Sequence, residues 1–438
     1  MKKFNSRQVR SPKNFSNSRK IQEPVIEKKL PRSLEEKKKF FADWVQENKI
    51  PGKIQAWFTQ APNEELADWR IVNELQGKHF LLKIIAPSKG FAVPNVVQSI
   101  HAQLRKEHLK AFKNAIRQIW FRALGNNRFA LLLQANLHGN NSNRGYRSFL
   151  EYLQRMHSEE ITACFHLECR PAILFDPSHP PRSLSIELKE GFGNEFQYID
   201  SLPYPIHILD RLPRQKSLWI QFPEKLKSAI HPSAEDRLLM FNAGSGLLAE
   251  SLANSFSHVE CAEIHAYGEK AARQRQKNSA FALRVHRSAA EAEWVEKFFK
   301  KTEPGKNWTI YLYPEDKENL TASTIAALAK AAPARILLHA SSLENALKNI
   351  KQFRREGYML RKILPLDFTP QESEFEVLFF FVPDRNGLLG NKALQEAKKR
   401  AIKPKERKFT LQKSKFEDFE QDIPHFIQRK RTLSGRND

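Results

Sequence analysis

The chain has 438 residues, 41% of them hydrophobic, and carries 72 Lys and Arg against 49 Asp and Glu for a net charge of +23. That length supports two or three domains with real cores, and no apolar run approaches the roughly 20 residues that a membrane span needs. With only three cysteines (Cys164, Cys169 and Cys261) a disulfide framework is excluded, and a reducing, cytoplasmic setting is expected. Cys164 and Cys169 are separated by four residues with no further cysteine nearby, so neither a zinc site nor an iron–sulfur cluster is expected.

The charge is uneven. Residues 1–35 hold ten Lys/Arg against three Asp/Glu, and residues 392–438 hold fourteen against seven, so +14 of the +23 lies in the two ends. The first of these stretches is basic and polar with no apolar segment behind it, unlike a secretory leader. Basic tails on a moderately basic body suit a polyanionic partner. Neither tail has the apolar face that would anchor it in lipid, so nucleic acid is the expected partner rather than a membrane.

Residues 1–35 read as a disordered tail. Between 36 and 94 lies a small region with a helix at Leu34–Glu47 and strands at Lys53–Thr59 and His79–Ile85, the size of a small nucleic-acid-binding barrel. A long helix is expected from Asn95 to Leu124, with Leu109, Phe112, Ile116, Ile119 and Ala123 on its buried face. Lys106, Lys110, Lys113 and Arg117 would form a basic stripe on another face, a candidate phosphate-contacting surface. Strand-like runs at Phe129–Ala135, Ile161–Leu167, Ala172–Phe175, Ser183–Lys189 and Glu195–Tyr198, with a helix at Arg147–Met156, make 95–235 an α+β domain.

From Asp236 the pattern becomes alternating strands and helices, the signature of a doubly wound sheet. Strands are expected at Arg237–Asn242, His258–Glu263, Leu283–His286, Thr309–Tyr313 and Arg335–Ala340. The intervening helices are Leu247–Ser255, Tyr267–Asn278, Ala289–Lys300, Thr321–Ala331 and Ser342–Arg355. Two last strands, Tyr358–Pro365 and Phe375–Val382, should form an antiparallel pair that closes this 236–385 domain. The basic tail 386–438 follows.

Gly244 and Gly246 lie between the first strand and its helix, where absent side chains let the backbone approach a ligand and the helix start offers free N–H groups. Glu263 ends the second strand, where a carboxylate can accept hydrogen bonds from a ribose diol.

On the stretch AEDRLLMFNAGSGLLAESLA, the strand ending at Glu263 and the segment Arg335–Phe381, residues 97–382 resemble the RNA uracil-C5 methyltransferases. The resemblance implies a class I methyltransferase fold, S-adenosylmethionine as cofactor, and an rRNA or tRNA partner. It puts Gly244, Gly246 and Glu263 at cofactor-pocket places, Gln221 on the family's F-x-Q-x-N glutamine, and Glu376 on its general base.

The departures are as specific. The family's catalytic cysteine is Ser341, the acid that ends strand one is Met240, and the Asp-Pro-Pro-Arg-like motif is Tyr313-Pro314-Glu315-Asp316. Pro223 replaces the asparagine after Gln221, and the four-cysteine iron–sulfur cluster found in some members is absent. C5 of uracil becomes nucleophilic only after something adds at C6. A thiol, with a pKa of about 8.5, can be tuned for that, whereas a serine hydroxyl needs a dedicated base. A pairing of Ser341 with His339 is conceivable but not expected, and Cys261 is expected to pack in the core. Glu376 has no task without an adduct. The sequence therefore reads as a degenerate, RNA-binding relative of these enzymes. Its alternatives are a methyltransferase acting at a base nitrogen or ribose oxygen, and an assembly protein on ribosomal RNA.

Overall fold

The computed structural model describes residues 33–59, 68–76, 79–86, 92–170, 174, 185–199, 202, 204–210, 216–302, 307–314, 320–368 and 374–384. The chain divides into two units, Met1–Ala397 and Lys398–Asp438, and every described residue belongs to the first. Residues 1–32 and 385–438, which hold nearly all of the two basic tails, and the Glu315-Asp316 pair lie outside the described residues, while Leu34 and Glu35 open the first helix.

In chain order the first elements are α1 (Leu34–Glu47), β1 (Lys53–Ile54), β2 (Phe58–Thr59), β3 (Trp69–Gln76) and β4 (His79–Ile85). Next come α2 (Asn95–Leu104), α3 (Lys110–Ala115), β5 (Ile116–Gly125), β6 (Arg128–Ala135), α4 (Asn140–Met156), β7 (Ile161–Arg170) and β8 (Ser185–Phe192). The strands β9 (Phe196–Gln197) and β10 (Ile206–His207) form a two-stranded ribbon, and α5 (Lys216–Ile230) leads out of it. The remaining elements are β11 (Arg237–Phe241), α6 (Leu247–Ala253), β12 (His258–Glu263), α7 (Ala266–Asn278), β13 (Leu283–Arg287) and α8 (Ala292–Lys301). The chain closes with β14 (Trp308–Leu312), α9 (Ala322–Lys330), β15 (Arg335–Ala340), α10 (Leu343–Arg355), β16 (Tyr358–Asp367) and β17 (Glu376–Pro383).

Two sheets organise these elements. The larger runs β1-β16-β17-β15-β14-β11-β12-β13, with β2 also on the β16 edge. Its five strands β13, β12, β11, β14 and β15 are mutually parallel, and β17 runs antiparallel between β15 and β16. This is the class I methyltransferase order, with the reversed strand where the sequence places an antiparallel pair. Helices cover both faces, so the central strands β11, β14 and β15 are nearly continuously apolar rather than alternating. Leu239 and Phe241 of β11 enter one core, Leu238 and Met240 the other, as the two-residue period of a strand requires.

The smaller sheet runs β4-β3-β5-β6-β7-β8. One face (Ile119, Phe121, Leu131, Leu133) packs on α2, α3 and α4. The other (Trp120, Leu124, Ala130, Leu132) packs against Ile206, Ile208, Leu209 and Leu247, the first residue of α6. The back of the small sheet is thereby brought against the segment that leads to the glycine turn.

Three expectations are corrected. The helix from Asn95 to Leu124 is instead α2, a single 3-10 turn at Glu107–Leu109, α3 and then strand β5. Leu109, Phe112, Ile116, Ile119 and Ala123 do share one core, but the last two reach it with strand alternation. The β-branched and aromatic run after Ala115 favours a strand, and Asn73 of β3 fixes the turn into it by donating to the carbonyls of Lys113 (3.0 Å) and Ile116 (2.9 Å). Among the described residues, the small region 36–94 is not a unit of its own, because β1 and β2 join the large sheet through β16 while β3 and β4 join the small one. The strand expected at Lys53–Thr59 is two short pieces on that edge. The strand expected at Ala172–Phe175 lies, apart from Leu174, outside the described residues.

Helix α1 begins with a capping box: Ser33 Oγ accepts from the Glu36 N–H, and Glu36 accepts from the Ser33 N–H. It is held to the large sheet by a fully buried ion pair, Lys37 Nζ to Asp367 Oδ1 at 2.7 Å. Helix α5, which the sequence reading missed, carries Pro223 in its interior, where the ring removes one intrahelical donor.

Candidate functional site

The chain leaves β11 through a turn built from residues with positive φ: Asn242 (54°), Gly244 (57°) and Gly246 (78°). Glycine takes this region without the Cβ penalty, and asparagine is among the few other residues that tolerate it. Asn242 is held by its Nδ2, which donates to the Tyr313 carbonyl at 2.7 Å. Glu263, at the end of β12, is only 2% exposed. Its Oε2 accepts the Gly244 N–H at 2.7 Å and its Oε1 accepts the His265 N–H at 2.8 Å. A Cβ on Gly268 would stand 2.9 Å from Glu263 Cγ, so the absent side chain lets α7 close on the carboxylate.

A second set of buried charges steadies the same turn. Arg275 of α7 donates from Nε to the Ser245 carbonyl (2.9 Å), from Nη1 to Glu250 Oε2 (2.7 Å), and from Nη2 to the Pro205 carbonyl (2.8 Å) and Ser245 Oγ (3.2 Å). Asp210 Oδ2 accepts the His207 N–H at 2.7 Å, and its Oδ1 accepts the Ser245 N–H at 3.3 Å. Arg122, buried on the back of the small sheet, donates from Nη1 to the carbonyls of Ile208 (2.9 Å) and Asp210 (2.7 Å). A continuous hydrogen-bonded path thus joins the small sheet to the glycine turn.

At the carboxyl ends of β14 and β15 and the amino end of the antiparallel β17 lies a third group. Tyr311 Oη is 2.5 Å from His339 Nδ1, Tyr313 Oη donates to Glu376 Oε1 at 2.7 Å, and Tyr313 stacks on His339. His339 Nε2 lies 2.7 Å from Glu376 Oε2, an ion-pair distance without hydrogen-bond direction. Both nitrogens of His339 thus face partners other than Ser341. Ser341 is half-buried, and its neighbour Ser342 caps α10 by accepting the Asn345 N–H.

Two cavities meet at Asn242 and Tyr313. The first, about 70 Å³, is lined by Asp210, Trp219, Met240, Gly244, Glu263 and Tyr311 among others. The second, about 400 Å³, lies where the strand order reverses between β11 and β14, and is lined by Asn242, Ala290, Glu291, Tyr313, Leu320 and Thr324 among others. Open α/β sheets bind ligands at such a reversal. The first cavity alone falls below the roughly 300 Å³ usual for a small-molecule site, and the second exceeds it.

The residues singled out in the sequence divide accordingly. Gly244 and Glu263 line the first cavity, and Gly246 completes its turn. Gln221 is exposed on α5, while Trp219 of the same helix faces the cavity. Glu376 sits at the neighbouring strand ends with Tyr313. Lys106, Lys110, Lys113 and Arg117 do not share a helical face: Lys106 precedes the 3-10 turn, Lys110 and Lys113 lie on α3, and Arg117 lies on β5. Lys106 and Lys110 are exposed and the other two half-buried. Lys110 pairs with Glu107 at 2.8 Å.

Asp210, Arg275 and Trp219 went unnoticed in the sequence, since nothing local marks them, and His339 was weighed only as a partner for Ser341. Cys164 and Cys169 sit on β7 in different cores, so they face opposite sides of the sheet. Burial pushes both thiols up, that of Cys169 to about 11. Cys261 is buried in the core beneath the turn, and burial pushes its thiol well up too.

No family model matches this sequence, and no curated protein matches it. Solved structures do match. Pyrococcus abyssi tRNA (uracil-54, C5)-methyltransferase in complex with S-adenosyl-L-homocysteine aligns over 80% of this chain and 82% of its own, with 15% identity and a TM-score of 0.54. Pyrococcus horikoshii TYW2 in complex with MeSAdo aligns over 66% of this chain and 99% of its own, with 12% identity and a TM-score of 0.37. Magnesium protoporphyrin IX methyltransferase from Synechocystis PCC 6803 with bound SAM aligns over 37% of this chain and 78% of its own, with 14% identity and a TM-score of 0.29. At 15% identity the likeness to the first of these supports the class I methyltransferase fold and nothing beyond the fold.

Proposed function

We propose that this protein is an RNA-binding member of the class I methyltransferase fold that does not carry out cysteine-dependent methylation of uracil C5. The observation that carries the reading is the state of the acceptor side. Ser341 stands where the family resemblance puts the nucleophile, and neither nitrogen of His339 is turned to it. Glu376 is engaged by Tyr313 and His339 on its two oxygens. Taking up a proton would neutralise the carboxylate that holds both contacts.

The cofactor side is better preserved. An adenosyl ligand fits the residues present: the Gly244 to Gly246 turn leaves its backbone open, with no atom nearer than 4.0 Å to a Cβ at Gly244. Glu263 lines the first cavity, where a carboxylate can accept from a ribose hydroxyl. The two cavities meeting at Asn242 offer room for the ribose on one side and a base on the other. S-adenosylmethionine, when bound, supplies an electrophilic methyl group. This preservation favours, as a second reading, methyl transfer to a base nitrogen or ribose oxygen of rRNA or tRNA, where positioning alone carries much of the rate.

The deciding experiment incubates the full chain with labelled S-adenosylmethionine and tRNA or rRNA, then digests the RNA and identifies modified nucleosides by mass. The first reading expects tight RNA binding and no 5-methyluridine. Label in another nucleoside supports the second reading, and 5-methyluridine lost on Glu376→Gln overturns the first.

A further inference from the structure

We infer that Asp210 is the carboxylate that receives the ammonium group of an α-amino-acid-bearing nucleoside in this cleft, in place of the acid absent at Met240. This rests on the cofactor reading above and deepens it. Asp210 comes from the segment after β10, outside the doubly wound unit, yet it lines the same cavity as Met240, Gly244 and Glu263. Met240 brings no charge to the end of β11, and the carboxylates among the residues lining this cavity are Asp210 and Glu263.

The geometry suits a binding role. Asp210 is 5% exposed, and its backbone is pinned by Arg122. Of its two oxygens, Oδ2 makes the short bond to the His207 N–H at 2.7 Å and lies 3.7 Å from Arg275. Among the described residues Oδ1 accepts only the longer bond from the Ser245 N–H at 3.3 Å, and it is the atom nearest a Cβ placed on Gly244, at 4.0 Å. A carboxylate oxygen accepts at least two hydrogen bonds, so Oδ1 keeps capacity on the cavity side.

Arg275 does not cancel this charge. Its shortest ionic bond, 2.7 Å, is to Glu250, so the three groups together leave one negative charge. Glu263 adds another on the opposite side of Gly244. In a chain of net charge +23 this cleft is a local anionic site. Its chemistry selects a cation, and the ammonium of an adenosyl amino acid is a cation that also donates three hydrogen bonds.

Asp210 also ties down the glycine turn, so the test must separate binding from scaffolding. Calorimetry on the full chain compares S-adenosylhomocysteine with its deaminated analogue, which keeps the carboxylate but has hydrogen in place of the amine. On the natural chain, loss of the amine should weaken binding about tenfold, the scale of a charged hydrogen bond. Asp210→Asn should weaken S-adenosylhomocysteine by a similar factor and leave the deaminated analogue unchanged, with the melting temperature reporting that the variant is folded. Equal binding of both ligands by the natural chain overturns the inference while leaving the cofactor reading standing. Equal weakening of both ligands by Asp210→Asn also overturns it, since Asp210 would then only hold the turn. No heat with either ligand overturns the cofactor reading and the inference with it.

Discussion

Tyr313 lies flat against His339, ring centroids 4.2 Å apart and planes 9° from parallel, while its hydroxyl donates to Glu376 at 2.7 Å. One side chain thereby covers a fully buried imidazole and holds the carboxylate that the resemblance assigns as a base. Its position is where that resemblance puts an aspartate. A residue that would clamp a substrate is replaced by one that ties the site to itself.

Restoring the thiol alone should therefore not restore the reaction. Ser341→Cys is expected to yield no 5-methyluridine on tRNA or rRNA, read by nucleoside mass spectrometry. Each 1.36 kcal/mol of barrier is about tenfold in rate, and the variant still lacks a positioned base and a free Glu376. Appearance of 5-methyluridine in this single variant would mean that the nucleophile was the only missing part.

The buried pair Lys37–Asp367 links α1 to the end of β16, both side chains at 0% exposure. Removing one partner leaves the other charged in the interior, which typically costs about 3–5 kcal/mol. Lys37→Met should lose stability on that scale in urea denaturation. The double variant Lys37→Met, Asp367→Leu should recover most of it, because no lone charge remains. A single variant within about 1 kcal/mol of the natural chain would show that water reaches the pair.

RNA affinity should be largely electrostatic. Each lost phosphate contact should reduce the slope of log K against log salt by roughly 0.7–0.9. Lys106 and Lys110 are exposed, so Lys106→Glu and Lys110→Glu should do more than reversal of the half-buried Lys113 and Arg117. Removal of residues 1–32 together with 385–438 should have the largest effect. Filter binding across a salt series checks this, and unchanged slopes would make these charges ordinary solvated surface.

Glu260 on β12 sits between two imidazoles, His286 Nε2 at 2.6 Å and His258 Nε2 at 2.7 Å. Burial by itself pushes its carboxyl up, but the hydrogen bonds from the two histidines outweigh that and hold it below the usual range. A carboxyl lowered in the folded state contributes stability that is present above its unfolded pKa, about 4.3. That stability is lost as the pH falls through the folded value. Glu260→Gln should accordingly be less stable than the natural chain at pH 7, with the gap closing below about pH 4.3. Thermal melts from pH 7 to pH 3 measure it, and a gap constant with pH would assign the loss to packing.

The doubly wound unit was legible from sequence because its signal is local. Its central strands are nearly apolar runs of five or six residues between amphipathic helices, so Arg237–Phe241 and Arg335–Ala340 fall where the pattern puts them. Period failed at Asn95–Leu124, where spacings of three and four also satisfy a helix that turns into a strand. Only cross-strand pairing with β3 and β6 settles which it is. The glycine turn and Glu263 were visible as a motif along the chain. Asp210, 34 residues before Gly244, and Arg122, further back still, were not. Their roles come from one sheet packing against another, and burial turns ordinary charged residues into obligatory partners. Sequence by itself determined which strands and helices form the doubly wound unit and where its residues depart from the family it resembles. Tertiary structure decided which charges meet at the cleft, because long-range packing sets those distances and no spacing along the chain encodes them.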